Sequence, residues 1–312
     1  MFARTFANTP FNVPALVAAT VLLPFFFVGG PDWTSGPLFK AAWNLGHILF
    51  FALFTIAVRP RRWFGGVWVW VVSTVFVAGV GVVIELIQGN VGRQSDWHDI
   101  FRNLIGTWLV LAWVHRPSRN VWRSGLLWSA RLVAVVLLTL ELKAVAEVAH
   151  QQYRIAHQLP TLYNFDDPHP LHHWRGRVHR SREHAGDFGH SLRIDLLGTN
   201  LYSGASLDNL PEDWRDYEAL EVVIYSPDDA PLNMTLRIND IVHDRGHSVY
   251  SDRFNTRLPL EQGLNRFRIP LSEIRNAPAT RTMDMDEIRR LVLFTTHLKT
   301  PREIFLVRLA LD

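Results

Sequence analysis

Five apolar stretches lie within the first 148 residues of this 312-residue chain, and short polar segments separate them. A run of about 20 apolar residues is long enough to cross the hydrocarbon core of a membrane, where a helix satisfies its own backbone. The sequence therefore predicts an all-α transmembrane bundle of about five helices. The predicted spans are Val13–Gly29, Ala41–Val58, Val67–Ile87, Ile100–Val114 and Leu126–Leu142.

The first apolar stretch also resembles a secretory signal peptide, because Arg4 precedes it. No small-x-small cleavage site follows the stretch, so we expect it to be retained as a helix. Cleavage would leave the orientation of the later spans unchanged.

The second half of the chain has a different composition, with charges at the density of a water-soluble domain. We predict a transmembrane domain over residues 1–148, a helical or polar linker over 149–161 and an extracytoplasmic all-β domain over 162–312. The net charge is only +3 and the Arg residues are dispersed, which argues against nucleic acid as a partner. The absence of Cys excludes disulfides, thiolate catalysis and Cys-ligated metals.

Polar side chains are concentrated between the third and fourth apolar stretches, in ELIQGNVGRQSDWHDIFRNLIG. Ionisable groups at the edge of a membrane are costly, and they commonly mark a site. Glu85 and Gln88 share one helix face, and Asp99 and Asn103 share another. With His47 in the outer part of the second span, these groups are expected to converge at the extracytoplasmic end of the bundle.

This spacing resembles that of the VanZ-like integral membrane proteins over about residues 40–115. The matching positions are His47, Glu85-x-x-Gln88, Arg93, Asp99-x-x-x-Asn103 and Asn103-x-x-Gly106. The family often has Asp-Lys shortly before its His, whereas this chain has Trp43 and Asn44 there. The resemblance implies a cell-envelope protein with an association to glycopeptide (teicoplanin) resistance, and it supplies no established reaction.

Two interpretations of the polar cluster follow. As a substrate site, it would have candidate catalytic residues His47, Glu85 and Asp99, because His adds a proton-transfer group to a pair of carboxylates. Gln88, Arg93 and Asn103 would complete it. As a structural feature, it would have Arg93 pairing with Asp99 or Glu85 to tie helix ends together.

Short alternating strands separated by turn residues begin near Leu162 and predict a β-sandwich of about eight or nine strands. The strongest candidates cover 191–197, 219–226, 232–238, 264–271, 290–296 and 303–312.

Several short motifs in this half resemble the galactose-binding-like jelly rolls, which include many carbohydrate-binding modules. They are Phe165-Asp166-Asp167, Asp213-Trp214-x-x-Tyr217-x-x-Leu220, Leu236-Arg237-Ile238-Asn239-Asp240 and Asp252-Arg253-Phe254-Asn255. The resemblance covers about residues 162–312 and implies the jelly-roll fold, with glycan binding as one of its uses.

A sugar site needs an aromatic surface and a few planar hydrogen-bonding groups. The candidate ligand-binding residues are Trp214, Tyr217, Arg237, Asn239, Asp240, His243, Asp252, Arg253 and Asn255. Alternatively, Trp214 and Tyr217 belong to the core, and Arg237 braces a loop by pairing with Asp240 or Asp252. No cofactor is expected, although Asp166, Asp167 and Asp312 are candidate ligands for a structural Ca²⁺, as in some relatives.

These observations predict a multi-pass protein of the bacterial inner membrane with a periplasmic jelly roll. We expect it to recognise or process a glycan or lipid-linked glycan at the outer leaflet. The alternative is a non-catalytic scaffold whose jelly roll docks an envelope protein.

The loop charges predict the topology. The links after the second and fourth spans hold six Arg, whereas the alternate loops hold Lys40, Arg93 and Arg102. The positive-inside rule places 59–66 and 115–123 in the cytoplasm and 149–312 outside. A periplasm-dependent reporter fused after Asp312 is therefore expected to be active. A fusion active only in the cytoplasm would contradict this orientation.

Overall fold

A computed structural model describes most of the chain. The described residues are 11–32, 34–90, 96–114, 121–167, 173–186, 189–198 and 202–312. The chain divides into two compact units, Met1–Gln152 and Tyr153–Asp312. The first unit is helical and the second is built from two antiparallel sheets.

The described part of the first unit contains five α-helices in the regions predicted from the apolar stretches. They are α1 (Val13–Leu22), α2 (Pro37–Val58), α3 (Trp68–Asn90), α4 (His98–Val114) and α5 (Val121–Ala156), the last of which extends into the second unit. Helix α1 begins after Asn12, whose side chain accepts a hydrogen bond from the backbone of Ala15, and α2 begins with a proline. Both are common features of helix N-termini.

Among the described residues, two helical segments have the length and composition of a membrane span, Pro37–Arg62 and Trp68–Gly89. Segment Val13–Phe26 is apolar but shorter. Helix α4 has 17 residues, and α5 contains Arg131 and Glu141 within its apolar part. The helical character of the first half is therefore confirmed, while its five-span membrane organisation remains a prediction.

Small residues allow the helices of the first unit to pack closely. A Cβ atom at Gly106 of α4 would overlap the backbone oxygen of Ile48 in α2. One at Gly81 of α3 would lie 2.8 Å from Nδ2 of Asn103 in α4. These two contacts hold α4 against both neighbouring helices.

The second unit contains two five-stranded sheets, with strand orders β1-β4-β9-β6-β7 and β2-β3-β10-β5-β8. Every described strand pair is antiparallel. The strands are β1 (Trp174–Gly176), β2 (Val178–Ser181), β3 (Ser191–Leu196), β4 (Ser203–Leu207), β5 (Ala219–Ser226), β6 (Leu232–Asp240), β7 (Phe254–Leu260), β8 (Gly263–Pro270), β9 (Ile288–Thr295) and β10 (Arg302–Leu311). Two short helices, α6 (Ile241–Arg245) and α7 (Leu271–Arg275), follow β6 and β8.

One apolar core lies between the two sheets, as expected for a jelly-roll-like sandwich. All six strands predicted from hydrophobic alternation are present, with ends that differ from the prediction by at most two residues. The four strands that were not predicted, β1, β2, β4 and β7, are short or contain Gly, Ser or Pro. Their pattern alone was too weak to identify them.

Replacing Gly106 by Ala should destabilise the first unit. Its Cβ would have to displace the α2 backbone, and overpacking of this kind typically costs about 1–3 kcal/mol. Gly79→Ala is the matched control, because a Cβ at Gly79 meets nothing within 4 Å. The measurement is the temperature at which each variant in detergent loses its monodisperse size-exclusion peak. Equal temperatures for the two variants would contradict the close α2–α4 contact.

Candidate functional site

A buried polar cluster lies where α2, α3 and α4 meet. It consists of His47 from α2, Glu85 from α3, and Asp99 and Asn103 from α4, and we call it the helix cluster. One ligand-type atom from each of His47, Glu85 and Asp99 lies within 4.8 Å of the other two. The structure therefore brings the three candidate catalytic residues together. A nitrogen and two carboxylates are also a donor set suited to a divalent cation.

His47 lies between two side chains of α4. Its Nδ1 is 2.9 Å from Asn103 Oδ1, and its Nε2 is 3.3 Å from Asp99 Oδ2. Because an amide oxygen only accepts hydrogen bonds, this arrangement assigns a hydrogen to Nδ1. Nε2 is then the atom at which His47 can exchange a proton with the carboxylate or with a ligand.

Two charged residues of this region were missed in the sequence analysis. Arg102 donates to Asp99 and, through Nε, to Glu141 Oε2 at 2.9 Å. Glu141 also lies 2.7 Å from Nε2 of His98. Arg102 is one helical turn from Asp99, but Glu141 is on α5, 39 residues away from Arg102. Only the packing of the helices brings the two together.

The remaining polar residues predicted for this cluster have different outcomes. Arg93 lies outside the described residues, so its pairing with a carboxylate stays a prediction. Gln88 donates to the backbone oxygen of Phe26 at 2.8 Å. Glu85 Oε2 accepts a hydrogen bond from the backbone nitrogen of Asp96 at 2.9 Å. Gln88 and Glu85 therefore tie α3 to neighbouring backbone segments.

Several candidate ligand-binding residues occupy the outward side of the sheet β1-β4-β9-β6-β7. Alternate β6 side chains enter the core, which leaves Arg237 and Asn239 on the opposite side. The strand register pairs Arg237 with Asn255 of β7, and Asn239 with Arg290 of β9. Arg253 is two residues before Asn255 and shares its side of the strand. We call this set the sheet face: Arg237, Asn239, Arg253, Asn255 and Arg290.

Five buried atoms on the sheet face form no hydrogen bond within the part of the chain that the structure describes. Arg290 Nε is one of them, but it lies 3.0 Å from Asp208 Oδ1 in an ion pair. The other four are Arg237 Nε, Asn239 Oδ1, Arg253 Nε and Asn255 Oδ1. Native proteins pair most buried polar atoms, so four on one side of a sheet are unusual. Two donors and two acceptors therefore lie unpaired just beneath this face.

Arg237 and His243 interact at the edge of the sheet face. Arg237 Nη2 lies 3.2 Å from His243 Nε2 and donates to it, so the imidazole hydrogen is on Nδ1, facing the Asp252 backbone oxygen at 3.1 Å. Burial and the adjacent Arg237 charge lower the pKa of His243, so its imidazole is neutral at pH 7. Burial lowers the pKa of Arg237 to about 10, with contributions from Arg253 and Arg290. Arg237 nevertheless remains charged at neutral pH.

Asp240 and Asp252, both predicted to bind a ligand, are held by Arg281. Arg281 donates to both oxygens of the fully buried Asp240 and, from Nε, to Asp252 Oδ1 at 2.7 Å. Asp240 also accepts a hydrogen bond from the backbone nitrogen of His243 at 2.9 Å, and this bond caps the N-terminus of α6. The two carboxylates therefore brace the loops beside the sheet face. Arg281 was not predicted, because it is 41 residues from Asp240.

The two aromatic residues predicted to contact a sugar belong to the core side of the unit. Trp214 is 0% exposed, and its Nε1 donates to the backbone oxygen of Pro211 at 2.8 Å. Tyr217 packs against the same core. The ring of Trp214 therefore has no surface on which a saccharide could stack.

Other aromatic rings lie beside the sheet face. Tyr202 and Tyr250 are 70% and 69% exposed. The Arg253 guanidinium lies 5.2 Å from the centre of the Tyr250 ring, and Tyr202 meets Phe294 of β9 edge-on with ring centres 5.5 Å apart. Both tyrosines are next to strand or turn boundaries, so their positions depend on the folded register and not on a local motif.

The three carboxylates considered for Ca²⁺ each pair with a basic side chain. The pairs are Asp166–His190, Asp167–Arg154 and Asp312–Arg268. Across the described ranges, the one group of three acidic or His side chains close enough to share a cation is that of His47, Glu85 and Asp99. The structure thus provides no support for a shared Ca²⁺ at the three carboxylates.

Comparison with known proteins finds similarity only among solved structures. No family model and no curated protein matches the chain. Thirty-seven chains of solved structures match. One is a family 11 carbohydrate-binding module from Clostridium thermocellum in complex with a β-1,3-1,4-mixed-linked tetrasaccharide, at 16% identity and a TM-score of 0.36, covering 47% of this chain and 92% of that one.

Two further similar structures are described by their names as carbohydrate-active proteins. A family 30 carbohydrate-binding module of a Clostridium thermocellum cellulosomal cellulase has 11% identity and a TM-score of 0.31, covering 43% of this chain and 81% of that one. An exo-β-agarase has 14% identity and a TM-score of 0.38, covering 49% of this chain and 24% of that one. At these identities and TM-scores, any functional conclusion depends on the geometry of the chain itself.

Replacing Arg281 by Ala should strongly destabilise the second unit. It would leave the buried Asp240 carboxylate without its cation, which typically costs about 3–5 kcal/mol. Arg215→Ala is the matched control, because Arg215 pairs with Asp213 at an exposed site where an ion pair contributes about 0–1 kcal/mol. Pulse proteolysis of the second unit over a urea series measures both effects. Similar midpoints for the two variants would contradict a bracing role for Arg281.

Proposed function

We propose that the chain is a bacterial cell-envelope membrane protein whose second unit binds a glycan, free or lipid-linked, on the sheet face. The single observation that carries this proposal is the set of four buried polar atoms without partners on that face. A buried polar atom left unpaired costs about 1–3 kcal/mol. A ligand rich in hydroxyl groups can both donate and accept, and so can pair those of the four that a movement of neighbouring side chains exposes.

The dimensions of the face suit an oligosaccharide. Neighbouring strands are about 4.8 Å apart, and residues two apart on one strand are separated by about 6.6 Å. The side chains that carry the unpaired atoms therefore extend over an area of roughly one to two sugar rings. Tyr202 and Tyr250, both exposed, supply the aromatic surface that the apolar side of a sugar ring favours.

The exposed apolar side chains of the first unit support a membrane location. Val75, Phe76 and Leu86 of α3 are all more than half exposed, as is Leu132 of α5. Soluble proteins rarely expose contiguous apolar surface of this kind, whereas lipid-facing helices require it. With the Arg-rich links in the cytoplasm, the second unit would be periplasmic.

Within this proposal, the helix cluster is the candidate for handling a lipid-linked substrate. His47 Nε2 and the nearby Asp99 and Glu85 carboxylates provide a proton-transfer group in one buried place. An apolar groove of about 490 Å³ adjoins it and is lined by His47, Trp43 and Phe26, among others. This arrangement supports a VanZ-like role in the envelope.

Glycan binding is tested by isothermal calorimetry on the full chain in nanodiscs, against a panel of neutral and acidic envelope-type oligosaccharides. Asn255→Ala removes one hydrogen bond from the face, so a bound glycan should lose about fivefold in affinity. Its melting temperature should fall only slightly, because Asn255 Oδ1 has no protein partner and the bond from Nδ2 to the Arg253 backbone oxygen is long, at 3.5 Å. Arg266→Ala, an exposed change on β8 of the other sheet, is the control and should leave binding unchanged.

Two results would contradict the proposal. Failure of every oligosaccharide to bind would favour the alternative of a scaffold that docks an envelope protein. Equal losses for Asn255→Ala and Arg266→Ala would show that binding occurs elsewhere.

A further inference from the structure

We propose that the sheet face selects glycans that carry an anionic group, a carboxylate or a phosphate, which binds between Arg237 and Arg253. This inference rests on the proposed glycan binding and specifies the chemical class of the ligand. The positive and negative charges on the face do not balance.

Arg237 and Arg253 differ from most arginines of the second unit. Eleven of its arginines lie within 4.0 Å of a carboxylate. Neither Arg237 nor Arg253 has such a partner among the residues that the structure describes, although both are half-buried. Asp244 is the carboxylate whose charge favours the charged form of Arg237. Its Oδ1 already accepts a hydrogen bond from Asn239 Nδ2.

The neighbouring charges increase the imbalance. The positive charges of Arg253 and Arg290 both disfavour the charged form of Arg237 and lower its pKa. Arg290 pairs with Asp208, which also pairs with Arg175. Asp208 therefore shares its negative charge between two guanidinium groups. An anion placed at Arg237 and Arg253 would relieve their repulsion.

The hydrogen-bonding groups fit an oxyanion at this position. The Nε atoms of Arg237 and Arg253 are buried and have no hydrogen-bond partner in the described structure. Guanidinium groups bind carboxylates and phosphates through two parallel N–H donors, a geometry that a neutral hydroxyl cannot match. His243, neutral and fixed by Asp252, accepts from Arg237 and so positions its guanidinium.

A simple anion would not satisfy the whole face. Asn255 is half-buried and its Oδ1 needs a donor, whereas Asn239 is fully buried and out of a ligand's reach. Phosphate and carboxylate ions supply acceptors, whereas sugar hydroxyls supply donors. The ligand that pairs both the guanidinium groups and the Asn255 amide oxygen is an acidic saccharide.

The test uses the full chain in nanodiscs of neutral lipid and pairs of probes that differ only in charge. The first pair is tetragalacturonic acid and its methyl ester, and the second is a hexose phosphate and the free hexose. Inorganic phosphate and vesicles containing anionic phospholipid form the remaining arms. We expect at least one acidic saccharide to bind more tightly than its neutral partner by about tenfold or more, since a charged hydrogen bond is at stake. Its affinity should fall as salt is raised.

Arg253→Gln and Arg237→Gln should each weaken binding of the acidic saccharide by about 10- to 100-fold and that of the neutral partner by only about fivefold, since the neutral partner loses an uncharged hydrogen bond. Each should lower the melting temperature of the unliganded chain only slightly, because no protein ion pair is lost and the protein contacts removed are one hydrogen bond to His243 or one ring contact with Tyr250. Arg266→Gln, on the opposite sheet, is the matched control.

Each contrary outcome has a distinct meaning. Equal affinity for the acid and its ester overturns the charge selection but leaves glycan binding intact. Binding of phosphate or anionic vesicles without any acidic saccharide overturns it in favour of a bare anion or lipid headgroup. A large fall in melting temperature for both Gln variants assigns the arginines to folding. Failure of every probe overturns this inference, and glycan binding fails with it only if the neutral oligosaccharides of the wider panel also do not bind.

Discussion

Strand β6 lies between β9 and β7, and its alternation of side chains separates the core of the second unit from the sheet face. The same pleat that buries Leu236 and Ile238 holds Arg237 and Asn239 on the other side. At the end of the strand, Asp240 enters an ion-pair network with Arg281, which also holds Asp252 just before β7. One buried carboxylate and its arginine therefore brace the ends of two neighbouring strands beside the sheet face.

The two polar sites differ in how far the protein itself satisfies them. In the helix cluster, Asp99 is engaged by Arg102 and His47, and Arg102 also binds Glu141. Such pairing explains the cluster as a means of joining helices, whatever else it does. One amide nitrogen of the helix cluster, Asn103 Nδ2, has no hydrogen-bond partner in the described residues, whereas the sheet face has four such atoms. This difference makes the sheet face the stronger candidate for a binding site.

Much of the fold could be predicted because it follows from local periodicity. Apolar runs predicted the helices, and the alternation of apolar and polar residues predicted six of the strands. Arg237, Asn239, Arg253 and Asn255 were identified by residue type on or beside one strand pair, and the register of β6 and β7 sets their spacing.

The residues that were missed depend on contacts between distant parts of the sequence. Arg290 lies on the face only because β9 pairs with β6. Tyr202 lies beside the face only because it precedes β4, which is a strand of the same sheet. Trp214 was considered for a ligand because of its type, yet the fold buries it completely. Residue type therefore indicated the chemistry, and the register determined which side chains could take part.

Hydrogen–deuterium exchange on the full chain, with and without a bound acidic oligosaccharide, tests most directly whether the sheet face is the ligand site. The account predicts slower exchange near Tyr202 and in the segment 250–257, with no change in β5 or β8 of the opposite sheet. Slower exchange confined to β5 and β8, or to the helical unit, would contradict it.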